Sequence, residues 1–122
     1  MELESLVFDD SAIINSQMMQ MAQERQKVIA NNIANAETPN YIRKESNFRM
    51  QLANAVKNND LEKIRAIKSS NYEDKTIAPK KDGNNIILPN EMNEMMQNSI
   101  FYNLTNKAFK TRMNILKSAI KG

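Results

Sequence analysis

"VIANNIANAETPNY", residues 28–41, is the stretch of sequence that decides the fold. It begins with the apolar spacing of a helix, yet it contains three asparagines, whose short amides compete with the backbone for hydrogen bonds and are unfavourable inside a helix. Pro39 disfavours helical geometry at Thr38, so the helix is expected to end near Asn35. Thr38 to Tyr41 then fits a turn, with proline at its second position and an asparagine that tolerates positive φ at its third.

The residues before this stretch predict an amphipathic helix from about residue 11 to residue 35. Ser11 is a candidate N-cap, and one of the asparagines at the other end is a candidate for a left-handed C-cap. Arg25 falls on the apolar side of this helix. We expect its stem to cover the apolar stripe while its guanidinium remains in water, rather than in a buried ion pair.

The last third of the chain has the strongest periodicity, two interleaved heptad series that begin at Leu88 and Met92. The seam predicted from them contains Met92, Met95, Tyr102, Asn106, Phe109, Met113, Leu116 and Ile120. A helix of about 30 residues would be about 45 Å long, and the shorter N-terminal helix cannot cover such a seam alone. We therefore expect other molecules to bury the remainder. Asn90 is a candidate N-cap, and Glu91 and Glu94 suit the positive end of the helix dipole.

The middle of the chain has weaker signals. Phe48, Leu52 and Val56 predict one short helix, and a second is predicted after an N-cap at Asn59 or Asp60. The polar stretch that follows is typical of a loop, and it ends in an Asp82-Gly83-Asn84 turn.

The predicted fold class is all-α. Long N- and C-terminal helices pair as an antiparallel coiled coil, joined by a loop-rich middle with short helices and turns. We divide the chain into an N-terminal axial helix with an acidic leading arm (1–36), a connecting segment (37–88) and a C-terminal axial helix (89–122). In this pairing Asn35 is expected near Met92, and Met18 near Phe109 or Met113.

Two explanations of the surplus asparagines stay open. A buried asparagine such as Asn32 weakens a coiled coil but fixes its register, because a wrong alignment leaves the amide unpaired. On this hypothesis Asn32→Leu strengthens helix association and damages correct assembly. Alternatively, asparagine is simply abundant in this chain and some of these residues are exposed. The eight internal methionines likewise fit either a core or contacts between subunits.

The composition predicts one domain of 122 residues without catalytic chemistry. The sequence has no histidine and no cysteine, so it lacks the commonest general base, the best nucleophile and the usual zinc ligands. Two glycines do not make a phosphate-binding loop. We therefore expect no enzyme activity, no cofactor, no metal and no small-molecule substrate. No apolar run is long enough to span a membrane, and the pattern of a cleaved secretory signal is missing.

The net charge of +3 is unevenly distributed. The first ten residues are acidic. The sequence after Glu94 contains no acidic residue and has the cations Lys107, Lys110, Arg112, Lys117 and Lys121. Cations near a helix C-terminus suit its dipole, which explains them sufficiently. Alternatively, the acidic N-terminus of one copy meets the basic C-terminus of another. There is no basic stripe interleaved with aromatic residues, so we expect no nucleic-acid partner.

The stretch at residues 28–41 resembles the N-terminal signature of bacterial flagellar axial proteins, the group of rod, hook and hook-associated proteins, which reads approximately A-N-N-I-A-N-A-x-T-P-G-Y. The matching positions are Ala30, Asn31, Asn32, Ile33, Ala34, Asn35, Ala36, Thr38, Pro39 and Tyr41. Asn40 stands where glycine is usual. Because asparagine is the next residue able to hold positive φ, we expect the turn to survive.

A second stretch, "DGNNIILPNEM" at residues 82–92, resembles the D-G-N-N-V-x-L-x-x-E-M block of proximal rod proteins of the FlgB type. The matching positions are Asp82, Gly83, Asn84, Asn85, Leu88, Glu91 and Met92. The short chain also fits this group, since hook and distal rod proteins carry larger inserted domains, and the related FlgC type lacks this block.

The resemblance implies a structural subunit of the flagellar basal-body rod, the drive shaft that crosses the periplasm and transmits motor torque. It implies export through the flagellar type III apparatus without a cleaved signal peptide. The implied partners are further copies of the chain, rod proteins of the FlgC, FlgF and FlgG types, the FliE adapter, the inner-membrane ring and the flagellar export gate. The alternative is a soluble coiled-coil adapter or chaperone-like binding module, which would form a discrete small oligomer.

Overall fold

Two long helices dominate the computed structural model, which describes residues 10–121; the predicted acidic leading arm falls in residues 1–9, outside them. The elements in chain order are α1 (Asp10–Ala34), β1 (Lys44–Ser46), α2 (Phe48–Lys57), α3 (Leu61–Arg65), β2 (Asn71–Glu73) and α4 (Leu88–Lys121). Helices α1 and α4 lie antiparallel, since Asn15 contacts Thr105 near one end and Asn32 contacts Glu91 at the other. The predicted all-α organisation, with two long helices and a middle of short elements, is confirmed.

Helix α1 ends where the sequence predicts, but neither of its predicted caps forms. Ser11 lies inside the first turn, and its Oγ accepts a hydrogen bond from Arg112 Nη2 at 2.7 Å. At the other end the Asn35 side-chain amide donates to the Asn31 carbonyl at 2.8 Å, so a side chain satisfies a helix-end carbonyl without a left-handed residue. The positive φ of 62° belongs to Asn40, within the predicted turn, where Tyr41 N–H donates to the Thr38 carbonyl at 3.3 Å.

Helix α4 begins at Leu88, whereas an N-cap at Asn90 would make Glu91 the first helical residue, so the prediction of Asn90 as N-cap is wrong. The Asn90 and Glu91 N–H groups donate to the Ile87 carbonyl at 3.0 and 3.1 Å. Pro89 sits in the first turn, where its missing N–H leaves no hydrogen bond unmade. The helix has 34 residues and is about 50 Å long. No helix between residues 10 and 121 is both long and apolar enough to cross a membrane.

Polar contacts set the register between the two long helices. Asn15 Nδ2 donates to the Thr105 carbonyl at 3.3 Å, and Asn98 Nδ2 donates to the Ala22 carbonyl at 2.8 Å. Met18 therefore lies opposite the stretch between Asn98 and Thr105, and its predicted position near Phe109 or Met113 is wrong. The expected position followed from the antiparallel pairing alone, but the buried amides require their own partners, and this requirement decides the alignment.

The middle of the chain folds against α1 as a small unit. Its core consists of Met21 from α1 with Phe48, Leu52, Ala55 and Ile64. The predicted cap of α3 is confirmed, because the Asp60 side chain accepts from Lys63 N–H at 3.1 Å.

Strands β1 and β2 pair antiparallel, with Glu45 opposite Tyr72. The stretch that contains β2 was predicted to be a loop, and this prediction is wrong. A three-residue strand with an exposed face shows no apolar alternation, so the sequence carries no sign of it.

Phe48 tests whether this core stabilises the chain. Its side chain is 0% exposed, so Phe48→Ala is expected to lower the free energy of unfolding by about 3–5 kcal/mol through lost burial and the cavity left behind. Met50→Ala is the control, because Met50 lies in the same helix and is 57% exposed. Urea unfolding followed by circular dichroism measures both variants. An equal loss in the two would contradict a core centred on Phe48.

Candidate assembly interface

Asn32 lies at the centre of the site and is fully buried. Its Oδ1 accepts from Lys44 N–H at 2.9 Å, while its Nδ2 donates to the Lys44 carbonyl at 3.0 Å and to Glu91 Oε2 at 3.3 Å. The side chain therefore pairs with the backbone of residue 44 as a neighbouring strand would, and it also bridges α1 to α4. A leucine at position 32 would leave these groups unpaired, so we revise the expectation that Asn32→Leu strengthens helix association.

The two sequence blocks, far apart in the chain, meet at Asn84. This buried side chain donates from Nδ2 to the carbonyls of Asn35 and Thr38, both at 2.9 Å. Its Oδ1 accepts from Ile86 N–H at 2.7 Å. One amide thus holds the end of α1, the turn that follows and the approach to α4 in one arrangement.

A close backbone approach explains the glycine in the second block. The Asn40 N–H donates to the Asp82 carbonyl at 2.9 Å, and Gly83 has a φ of 84°. A Cβ at position 83 would overlap the side-chain amide of Asn40 and press on its Cα. Asn40 and Gly83, both at positive φ, are therefore packed against each other, and each of their turns constrains the other.

Asn85 connects the same junction to the small unit. Its Oδ1 accepts from Arg43 N–H at 2.6 Å, and its Nδ2 donates to the carbonyls of Asp74 and Ile77 at 2.8 and 3.2 Å. The Asn85 N–H in turn donates to the Tyr41 carbonyl at 3.3 Å. Asn84 thus binds the end of α1 and the turn after it, while Asn85 binds the segments that contain Arg43 and Asp74.

A buried arginine, Arg43, is surrounded by four carboxylates. Its Nε donates to Glu91 Oε1 at 2.6 Å and its Nη1 to Asp74 Oδ2 at 2.6 Å. Its Nη2 reaches Glu45 at 2.9 Å and Glu94 at 3.3 Å. Each of the three guanidinium nitrogens donates to a carboxylate, which makes a buried charge tolerable. Among residues 10–121 no group of three or more acidic side chains is arranged to hold a metal ion.

The pKa values at this cluster follow from its burial and pairing. Burial alone would lower the pKa of Arg43, but the hydrogen bonds to Glu91, Glu45 and Asp74 outweigh it and raise that pKa. Hydrogen bonds from Thr76, reinforced by Arg43, hold the pKa of Asp74 below its usual value. Burial, reinforced by the charge of Glu45, raises the pKa of Glu94. The cluster therefore keeps Asp74 ionised and makes the charge on Glu94 costly.

Sequence reasoning missed most of this cluster. Glu91 and Glu94 were assigned to the helix dipole, and Asp74 to a solvated loop, but all three contact Arg43. Arg25 was expected to reach water, yet its Nη2 lies 3.7 Å from Glu94 Oε2 in a half-buried ion pair. The one sequence signal for this cluster was that Glu91 belongs to the block at residues 82–92.

The remaining motif residues form the outer side of the junction. Tyr41 is half-buried; its pKa is raised by burial and by the charge of Glu91. Ile33 and Asn35 are half-buried, whereas the exposed members are Ala30, Asn31, Ala34, Thr38, Pro39 and Asp82. The buried residues of the junction thus fix the backbone conformation at these exposed positions. The exposed side chains themselves are accessible to other molecules.

The predicted helix seam is divided between two faces of α4. Leu116 is buried, and Met95, Tyr102, Asn106 and Met113 are half-buried. Met92, Phe109 and Ile120 are exposed. The buried line that faces α1 instead contains Glu91, Asn98 and Thr105, one residue before the Met92 series, because these polar groups pair across the interface.

A second apolar surface runs along the exposed side of α4. We call it the outer stripe; its members are Met92, Met96, Ile100, Leu104 and Ile115, and each is more than half exposed. Steps of four residues place the first four in one row on the helix surface. Exposed apolar rows of this kind mark surfaces that contact other proteins.

Comparisons with known proteins agree on one group. A family model described as "Flagella basal body rod protein" matches residues 18–41. "Flagellar basal body rod protein FlgB" of Bacillus subtilis is 32% identical over 115 residues, covering 83% of this chain and 85% of that protein. The protein of the same name from Borrelia hermsii is 31% identical over 116 residues, with 80% and 86% covered. That of Aeromonas hydrophila is 26% identical over 129 residues, with 97% and 98% covered.

Arg43→Met is expected to lower the free energy of unfolding by about 3–5 kcal/mol, because it leaves the buried Glu91 carboxylate without its cation. The loss should shrink as the pH falls through the range in which Asp74 is protonated, since Arg43 helps to lower the pKa of that carboxyl and stabilises only its charged form. Urea unfolding at several pH values measures both effects. Arg49→Met is the matched control at an exposed arginine. A pH-independent loss would show that the side chain of Arg43 acts through packing alone.

Asn32→Leu is expected to destabilise the chain by about 1–3 kcal/mol, because the N–H and carbonyl of Lys44 lose their partner in a buried site. The neighbouring Asn31→Leu serves as control, since Asn31 is exposed. Thermal unfolding of both variants decides the matter. Higher stability in Asn32→Leu than in the parent chain would restore the earlier expectation.

Proposed function

The chain belongs to the FlgB family of flagellar basal body rod proteins, and from this premise we propose that it works as a structural subunit of the proximal rod, joined to other rod proteins in the drive shaft that transmits motor torque. The observation that carries the proposal is the outer stripe of α4, an apolar surface that residues 10–121 leave uncovered. A subunit of a multi-protein shaft requires such a surface, because its contacts are completed by neighbours.

The arrangement of α4 supports this role in a second way. Its line of Glu91, Asn98 and Thr105 faces α1, while the five large apolar side chains of the outer stripe are more than half exposed. In a protein that acts alone the apolar side would be expected to face the partner helix. Met92 and Met96 add flexible thioethers to the outer stripe, which suits contacts with neighbours that are not all equivalent.

The proposed division of the chain follows from the same surfaces. We assign α1 and α4 to the axial pair (1–36 and 89–122) and the segment 37–88 to the connection between them. The motif residues at 30–41 and 82–85 fix the geometry of this connection at one end of the pair. The seam and the outer stripe then supply the contacts to neighbouring subunits.

The proposed partners are further copies of this chain, rod proteins of the FlgC, FlgF and FlgG types, the FliE adapter, the inner-membrane ring and the flagellar export gate. Type III export is the proposed route to the rod. The relatives are all named as rod proteins and no enzyme family is among the matches, so a soluble adapter module is not favoured.

Deletion of the gene tests the function directly. Cells without the chain are expected to lose motility and to lack rods in isolated basal bodies viewed by electron microscopy, and the intact gene should restore both. Complete rods in the deletion strain would refute the proposal. A discrete oligomer of the chain in the cytoplasm, with none in basal bodies, would instead support the adapter function.

Met96→Lys tests the outer stripe. Met96 is 61% exposed, so the variant is expected to fold with unchanged stability, within about 0.5 kcal/mol, while motility falls sharply because a charge is placed in a subunit contact. Met50→Lys is the matched control, with the same substitution at a methionine that is 57% exposed outside the stripe. Thermal unfolding and swimming in soft agar measure the two properties. Equal motility in the two variants would exclude the stripe as a contact surface.

A further inference from the structure

Helix α4 has another apolar side that its contact with α1 covers only in part. We call it the seam flank, because its members belong to the predicted heptad seam; they are Met95, Tyr102, Asn106 and Phe109. Phe109 is 39% exposed, and the other three are half-buried. The outer stripe is therefore one of two apolar surfaces on this helix that a neighbouring molecule can bury.

The outer stripe and the seam flank point in nearly opposite directions. At about 100° per residue, Ile100 and Leu104 of the outer stripe lie about 160° around the helix from the middle of the seam flank. Thr105, which contacts α1, lies between the two surfaces on one side. The exposed Lys107 and Lys110 lie between them on the other side. One helix thus presents an apolar surface to each of two neighbours.

Both surfaces include a part of α4 that carries no charge. The stretch from Met95 to Asn106 contains no acid and no base, and it is about 18 Å long. A charged partner would lose its hydration on such a surface without gaining an ion pair, which is unfavourable. The matching occupant is therefore an uncharged, largely apolar helix face of similar length, and the seam flank is such a face.

We propose that the outer stripe of one copy of this chain packs on the seam flank of the next copy, with the two α4 helices side by side and parallel. The inference rests on the proposed function, because it requires copies assembled in a shaft. Pairing of one stripe with another would be isologous and would close after two copies. Pairing of two different flanks repeats from copy to copy, as growth of a shaft requires.

Amides accompany both surfaces and set the axial offset between copies. Asn106 belongs to the seam flank, and Gln97 is exposed on the same side of α4 as Leu104. A hydrogen bond between these two amides forms at one offset only, because a misaligned neighbour leaves them unpaired in an apolar contact. Asn98 acts in the same way between α4 and α1 within one chain.

Disulfide trapping in isolated basal bodies tests this contact. The chain has no cysteine, so introduced cysteines report alone. Cells would express Ile100→Cys and Phe109→Cys together, since these positions have the same spacing as Gln97 and Asn106 and lie side by side at that offset. The expected result after mild oxidation is a covalent dimer. No dimer is expected from Ile100→Cys alone or with Met50→Cys, because Met50 is exposed outside both surfaces.

The outcomes separate this inference from the proposed function. Basal bodies that contain both variants without a dimer would overturn the inference and leave the rod function intact. A dimer from Ile100→Cys alone would also overturn it, since that result would show an isologous contact between two stripes. Absence of the parent chain from basal bodies would overturn both proposals.

A charge substitution tests the contact without cysteines. Asn106→Lys is expected to lower the amount of chain in basal bodies by about tenfold, because it places an unpaired charge in the seam flank. Asn103→Lys is the matched control, since Asn103 is exposed on the side of α4 that carries Lys107 and Lys110, and its incorporation should be unchanged. Thermal unfolding of both purified variants checks that the fold is retained. Equal incorporation of the two variants would count against the seam flank as a contact and overturn the inference.

Discussion

The buried ion pair between Arg43 and Glu91 is the constraint on which the rest of the structure depends. Neither charge is tolerable in the interior without its partner, and the same carboxylate also accepts from Asn32. Helix α1, the segment after its turn and the start of α4 therefore meet in one geometry. Once Glu91 is fixed, Asn98 and Thr105 reach their partners on α1 only in one register, so the alignment of both long helices follows from this junction.

This alignment decides which surface of α4 is left for other molecules. Because the polar line at Glu91, Asn98 and Thr105 faces α1, the five apolar side chains of the outer stripe are left more than half exposed. The chain thus places polar groups in its internal contact beside Leu116 and leaves part of its apolar surface outside. Burial of the stripe in a multi-protein shaft would supply free energy that the isolated chain cannot obtain, which connects the internal register to the function of the family.

The sequence predicts the features that depend on local chemistry. The end of α1, the turn with Asn40 at positive φ and the cap of α3 by Asp60 all follow from neighbouring residues. The register of the long helices, the strand β2 and most of the surroundings of Arg43 depend on residues between 25 positions apart (Ser46 and Asn71) and 90 positions apart (Asn15 and Thr105), where pattern gives no pairing rule. The antiparallel pairing alone suggested a different alignment because it does not count the hydrogen bonds that each buried amide requires.

A polar internal contact is a weak source of stability and a strong source of specificity. Apolar side chains between α1 and α4 would stabilise the isolated chain more, but they accept several registers at similar free energy, whereas a misplaced Asn32 or Glu91 leaves a buried group unpaired. In a shaft built from repeated contacts, an error in one subunit displaces the surfaces that its neighbours bind. Uniform geometry is therefore worth more to such a subunit than stability alone, and the asparagines that are unfavourable in a helix supply it.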